Sequence, residues 1–167
     1  MSDSVSDQFV SQSGQTLSEF ISRFQLQQPQ PGSFSANSHH AAVLIPIVCR
    51  PEPTLLLTRR SDHLRKHAGQ VAFPGGKADP QDSSSGFQVT PIVGLVPDNI
   101  TFHGNEEEVA GLFEIPLYEA LRLSRYYWLD IHRGGVNHRV YLSWYESQFI
   151  WGLTAAIIRR LAQQVNI

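Results

Sequence analysis

Arg60 and Arg65, in "LLTRRSDHLRKHAG", are permanent cations whose forked donors match the oxygens of a phosphate group. Gly75 and Gly76 close "QVAFPGG", and paired glycines give a turn the freedom to bring backbone close to a phosphate. Glu106, Glu107 and Glu108 form a short acidic run ahead of Gly111. The chemistry the arginines and the glycine turn could do is to hold the phosphate groups of a phosphorylated compound. Taken alone, two surface arginines are more simply solvated charges, and "NEEEVAGL" also reads as a solvated acidic turn. His63 and His67 have i,i+4 spacing, but Leu64, Arg65 and Lys66 lie between them where a zinc protease needs Glu after the first His. Cys49 ends an apolar run and reads as a small hydrophobe; Trp144 and Trp151 read as core or pocket wall.

The residues between Leu56 and Gly76 fit a longer pattern, L-L-T-x-R-[SA]-x3-R-x3-G-x3-F-P-G-G. Every fixed position agrees: Leu56, Leu57, Thr58, Arg60, Ser61, Arg65, Gly69, Phe73, Pro74, Gly75 and Gly76. In this the chain resembles Nudix hydrolases of the coenzyme A pyrophosphatase group, and the resemblance runs from "LSEFISRFQL" to "WGLTAAIIR". It implies hydrolysis of coenzyme A, or a related nucleoside diphosphate derivative, to 3′,5′-ADP and 4′-phosphopantetheine with Mg²⁺ or Mn²⁺. It also implies substrate contacts from Arg60, Arg65, Gly69, Gly75 and Gly76, metal contacts from Asp82, Glu107 and Glu108, and a catalytic part for Glu108.

The resemblance breaks at the Nudix box, G-x5-E-x7-R-E-U-x-E-E-x-G-U with U aliphatic. Its helix sets several glutamates on one face to hold the cations. Gly76 and Asp82 meet the first two positions, but where Arg-Glu-aliphatic is due the chain has Thr90, Pro91 and Ile92. No Arg-Glu pair occurs anywhere in it. The expectation is therefore a box helix, and the strand after it, lost in frame, with catalysis impaired or abolished. The competing expectation is a non-catalytic remnant that at most binds coenzyme A or nucleotide. Loss of that helix would uncover apolar surface on "AAVLIPIV" and "FQVTPIVGLV", which predicts self-association.

The elements that must hold these residues follow from periodicity. Residues 1–15 are polar and read as a loose segment, with one domain over 16–167. A helix starts at "TLSEFISRFQ", where Thr16 and Glu19 form a capping box. "AAVLIPIVCR", "TLLLTRR", "QVAFPGG", "FQVTPIVGLVP" and "EVAGLFEIPL" read as strands, Pro91 marking an edge or bulge. Pro116 suits the first position of a helix "PLYEALRLS", and "RYYWLDIHR" with "HRVYLSWYE" suggests a hairpin around "GGVN". Thr154 is placed to cap a last helix, "AAIIRRLAQQV". The mixture predicts an α/β sandwich around a mixed sheet, a truncated Nudix-type fold.

Composition sets the outer bounds. With 167 residues, 41% hydrophobic and 17% charged, the chain can bury a core. A net charge of -2 gives no basis for nucleic-acid binding. No apolar run suits a membrane span, and a single cysteine suits a reducing, cytoplasmic setting.

Overall fold

The structure is a computed structural model that describes residues 17–26, 40–74 and 88–165. The loose segment 1–15, the Thr16 cap, Gly75, Gly76 and Asp82 lie outside the described residues.

Strand β1 (His40–Cys49) is an almost unbroken apolar run, the composition of a strand covered on both faces. It turns through "PEP" into antiparallel β2 (Thr54–Arg60), with Ile47 opposite Leu55. Along its other edge β2 pairs antiparallel with β5 (Val109–Pro116) from Thr54–Pro116 to Arg60–Val109. The short β3 (Val71–Ala72) takes the end of β2 beyond β1, at Thr58–Ala72 and Arg59–Val71. Strand β4 (Gln88–Pro97) runs parallel to β1 at the sheet edge, from His40–Gln88 to Cys49–Pro97. The edge position explains how β4 tolerates Pro91.

A second, antiparallel sheet holds β6 (Tyr127–Arg133), β7 (Val136–Tyr145) and β8 (Gln148–Trp151) in sequence order. Gly134 and Gly135 make the β6–β7 turn with φ of 60° and 80°, the two left-handed residues a tight hairpin turn demands.

The core lies on one face of the mixed sheet. Val43, Ile45, Ile47, Leu55, Leu57 and Ile115 pack there with Phe20 of helix α1 (Leu17–Leu26) and with Ala155, Ile158 and Leu161 of helix α3 (Gly152–Val165). Arg23 Nη1 donates to Val165 O at 3.1 Å, tying α1 to an orphan carbonyl at the end of α3.

The mixed α/β fold around a mixed sheet is as expected; several details are not. The third strand covers only Val71–Ala72. Pro116 ends β5, and the helix after it, α2 (Leu117–Ala120), is one turn, followed by a 3₁₀ turn at Leu123–Arg125. Strand β8 was not expected, and α3 starts at Gly152 rather than after Thr154. Thr154 is not a cap: its Oγ1 donates to Val71 O at 3.1 Å and pins α3 to β3. Trp144 is not core either, standing about half exposed on the second sheet.

Candidate functional site

The site forms where β2 ends. Arg60 N donates to Gln70 O at 2.9 Å, closing the loop 61–70 between β2 and β3. Within it, Leu64 N donates to Ser61 O and Gln70 N to His67 O, both at 3.3 Å. Gly69 has φ +67°, and a Cβ there would lie 2.7 Å from Asp62 Oδ1. Conformation and space both require glycine. Asp62 in turn pairs with Arg59, Nη2 to Oδ2 3.1 Å.

The acidic run meets this strand end. Asn105 builds the turn: its Oδ1 accepts from Glu107 N at 3.2 Å, while its carbonyl accepts from Glu108 N at 2.9 Å and Val109 N at 2.8 Å. Glu108 O then accepts from Ser61 N at 2.9 Å, next to the Arg60–Val109 pair. The ladder shifts register between Arg59 and Arg60, the local irregularity that β-bulges use to re-aim side chains. The backbone thus brings Arg60 and Glu108 together although 48 residues of sequence separate them. The Arg60 Nε is buried without a hydrogen-bond partner, and no ion pair among the described residues uses this guanidinium. A buried donor with no partner is costly unless a ligand completes it. Arg65 is exposed on the same loop, and Glu106, Glu107 and Glu108 all face solvent.

Known proteins resolve what this arrangement belongs to. No family model matches the chain. It is similar to an uncharacterized Nudix hydrolase, NudL, of Yersinia enterocolitica serotype O:8 / biotype 1B, at 83% identity over 195 residues; the match covers 98% of this chain and 100% of that protein. Similar proteins of the same name in Yersinia pestis strain Pestoides F and Yersinia pseudotuberculosis serotype O:1b are each 65% identical over 193 residues, covering 92% of this chain and 97% of theirs. The chain belongs to the Nudix hydrolase family.

Nudix hydrolases use divalent metal ions, so the donors present here can be judged against that need. Among the described residues no three His, Cys, Asp or Glu side chains converge on one point. Mg²⁺ requires near-octahedral oxygen ligation, which an exposed turn of three adjacent glutamates does not preorganise. The described donor set does not fit a resident metal.

One charged group passed unremarked in the sequence. Glu114 of β5 takes a bidentate pair from Arg50, Oε2 to Nε 2.7 Å and Oε1 to Nη2 2.6 Å, and accepts from Thr54 Oγ1. The Arg50 hydrogen bonds outweigh partial burial and hold this carboxyl below the usual range. Its one available signal was a lone acid in the apolar strand "VAGLFEIP".

A cleft of about 370 Å³ opens on the loop's other side, between His67–Gln70 and the β7–β8 turn, with Arg59, Phe149 and Trp151 in its wall. Trp151 thus takes the pocket-wall place expected of both tryptophans, and Trp144 does not line this cleft.

Proposed function

We propose that this Nudix chain is of the coenzyme A pyrophosphatase group, retaining the substrate-side arginine motif but lacking the box helix, and so impaired or inactive in hydrolysis. The observation that carries the reading is the position of β4. Asp82 is due to be followed, eight residues on, by Arg-Glu, but Gln88 has already entered the ladder with β1. Only a few residues separate them, too few for a helix of several turns and a strand. The matched lengths support the same reading. The Y. enterocolitica match runs over 195 residues against 167 in this chain, so that relative has positions with no counterpart here.

Coenzyme A or a related nucleoside diphosphate derivative is the substrate class, favoured by the full agreement of Leu56–Gly76 with the group's pattern. Arg60 and Arg65 would hold its phosphates, with Gly69, Gly75 and Gly76 shaping the loop and turn around them. Mg²⁺ or Mn²⁺ would be the cofactor in the intact family site; by the resemblance Asp82, Glu107 and Glu108 are what remains of its acids here, with the catalytic part falling to Glu108. A cytoplasmic location suits the single cysteine, Cys49. Among the described residues, no helix is long and apolar enough to cross a membrane.

The buried, unpartnered Arg60 Nε favours residual binding without turnover as the second reading. One experiment separates the two. Product assays with coenzyme A and Mg²⁺ or Mn²⁺ are expected to stay far below about 1 per second, the low end of ordinary turnover. Calorimetric titration with coenzyme A then reports binding, which Arg60→Ala should abolish. Turnover near that rate, with contaminating enzyme excluded, overturns impairment; no binding at all overturns the second reading.

A further inference from the structure

The second sheet has an outer face that the described residues leave largely exposed. Strand alternation and the β6–β7 and β7–β8 registers put Tyr127, Leu129, Ile131, Val136, Val140, Leu142, Trp144, Phe149 and Trp151 on one side. The other side turns Ser143 and Ile150 into the core. Seven of the nine outer residues rank among the exposed large hydrophobics, led by Tyr127 at 62%, Val136 at 57% and Trp144 at 52%. Trp144 and Phe149 rings lie 4.5 Å apart and Phe149 and Trp151 6.3 Å apart, so the aromatic half is already assembled.

Size identifies the occupant. At these fractions the seven side chains expose roughly 700 Å². A monomer's largest apolar patch is about 300–600 Å², whereas each partner of a stable complex contributes about 800 Å². Charge then selects the partner. The only Lys, Arg, His, Asp or Glu residues on the ladder face are Arg133 and His138, so no carboxylate lies among the apolar side chains. Arg133 sits at the β6–β7 end of the sheet and Glu146 at the β7–β8 end; neither has an ion pair among the described residues. Two copies stacked face to face with β7 antiparallel would set each Arg133 over the partner's Glu146 end and close with two-fold symmetry.

We propose that this face is a homodimer interface, the β6–β8 sheets of two copies packing antiparallel with Leu129 and Val140 near the centre. This surface is separate from the β1–β4 face, where Leu44 and Ile92 are exposed, and only its Phe149 and Trp151 edge borders the cleft beside loop 61–70.

Sedimentation equilibrium of the full chain at about 10 µM should give a dimer. Leu129→Glu should yield monomer, while Ile92→Lys, on the β1–β4 face, should leave the dimer intact. Arg133→Glu, at the exposed end of β6, and Glu146→Arg, in the exposed β7–β8 turn, should each weaken the dimer about tenfold, and the double swap should restore it. A wild-type monomer, an open series of larger oligomers, a dimer lost in Ile92→Lys but kept in Leu129→Glu, or a double swap no tighter than either single variant overturns the proposal.

Discussion

Leu44 and Ile92 stand opposite each other in the parallel β1–β4 ladder, on the face turned away from the core, 46% and 51% exposed. Their neighbours Val43 and Ile45 are 2% and 1% exposed. A strand as apolar as β1 is built to be covered on both sides, and around Leu44 only one side is. Gly94 accommodates the other: a Cβ there would come 2.8 Å from Leu44 Cδ1, so Leu44 lies across bare backbone.

The two faces should therefore respond differently to truncation. Ile92→Thr is expected to change stability by no more than about 0.5 kcal/mol, as exposed sites do. Ile45→Ala, which opens a cavity in the packed face, should cost about 2–5 kcal/mol. Urea unfolding of both variants measures this; a large loss in Ile92→Thr would mean the outer face is covered.

Gly69 gives a second test, of the loop that carries Arg65. Gly69→Ala should cost about 1–3 kcal/mol, because the left-handed backbone and the Asp62 carboxylate both oppose a Cβ. Asp62→Ala in the same chain should recover part of that cost and leave the backbone part. A Gly69→Ala protein as stable as wild type would show that the loop is not held this way.

The Arg50–Glu114 pair predicts a pH dependence. The folded carboxyl is held below its unfolded value, chiefly by the Arg50 hydrogen bonds. Its contribution is then full above the unfolded pKa and is lost as pH falls through the folded one. The gap in melting temperature between wild type and Glu114→Gln should be present at neutral pH and shrink steadily below about pH 5. A gap that widens toward acid would reverse the assignment.

Much of this was legible in the sequence, for physical reasons that can be named. β1, β2, β4 and β5 were visible because apolar runs between turn residues permit little else, and the Leu56–Gly76 pattern was visible because all of its fixed positions agree. Loop 61–70 meeting the acidic turn was not visible, since Ser61 and Glu108 join through backbone atoms, which carry no residue signature. Thr154 was misread because a hydroxyl before an apolar run resembles a cap, whereas its real acceptor, Val71 O, is 83 residues away. Strand β8 was missed because "QFIW" is too short to show a period of two.

Magnesium should act weakly on the chain as it stands. Glu106, Glu107 and Glu108 are exposed, and no third element brings a carboxylate to them among the described residues. Millimolar Mg²⁺ is expected to move the melting temperature by less than about 1 °C, since only binding to the folded state raises it. A larger rise that disappears in Glu108→Gln would reveal a working metal site.

The most demanding prediction is that the chain can be repaired. On the proposed reading, a family-type box segment, G-x5-E-x7-R-E-U-x-E-E-x-G-U, inserted after Asp82 should form a helix that covers the apolar face where Leu44 and Ile92 now meet water. Covering several hundred Å² at ~25 cal/mol per Å² is worth about 10 kcal/mol before the entropy of ordering the new residues is subtracted, leaving a net gain of a few kcal/mol. The repaired protein should melt higher and bind less of a dye that reports exposed apolar surface. It should also gain a Mg²⁺-dependent rise in melting temperature and the hydrolysis of coenzyme A, lost again in Arg60→Ala. The readouts fail separately. Better stability without turnover would sink the coenzyme A reading and leave the structural one standing. Unchanged dye binding and melting would show that the β1–β4 face was never the place of the missing helix.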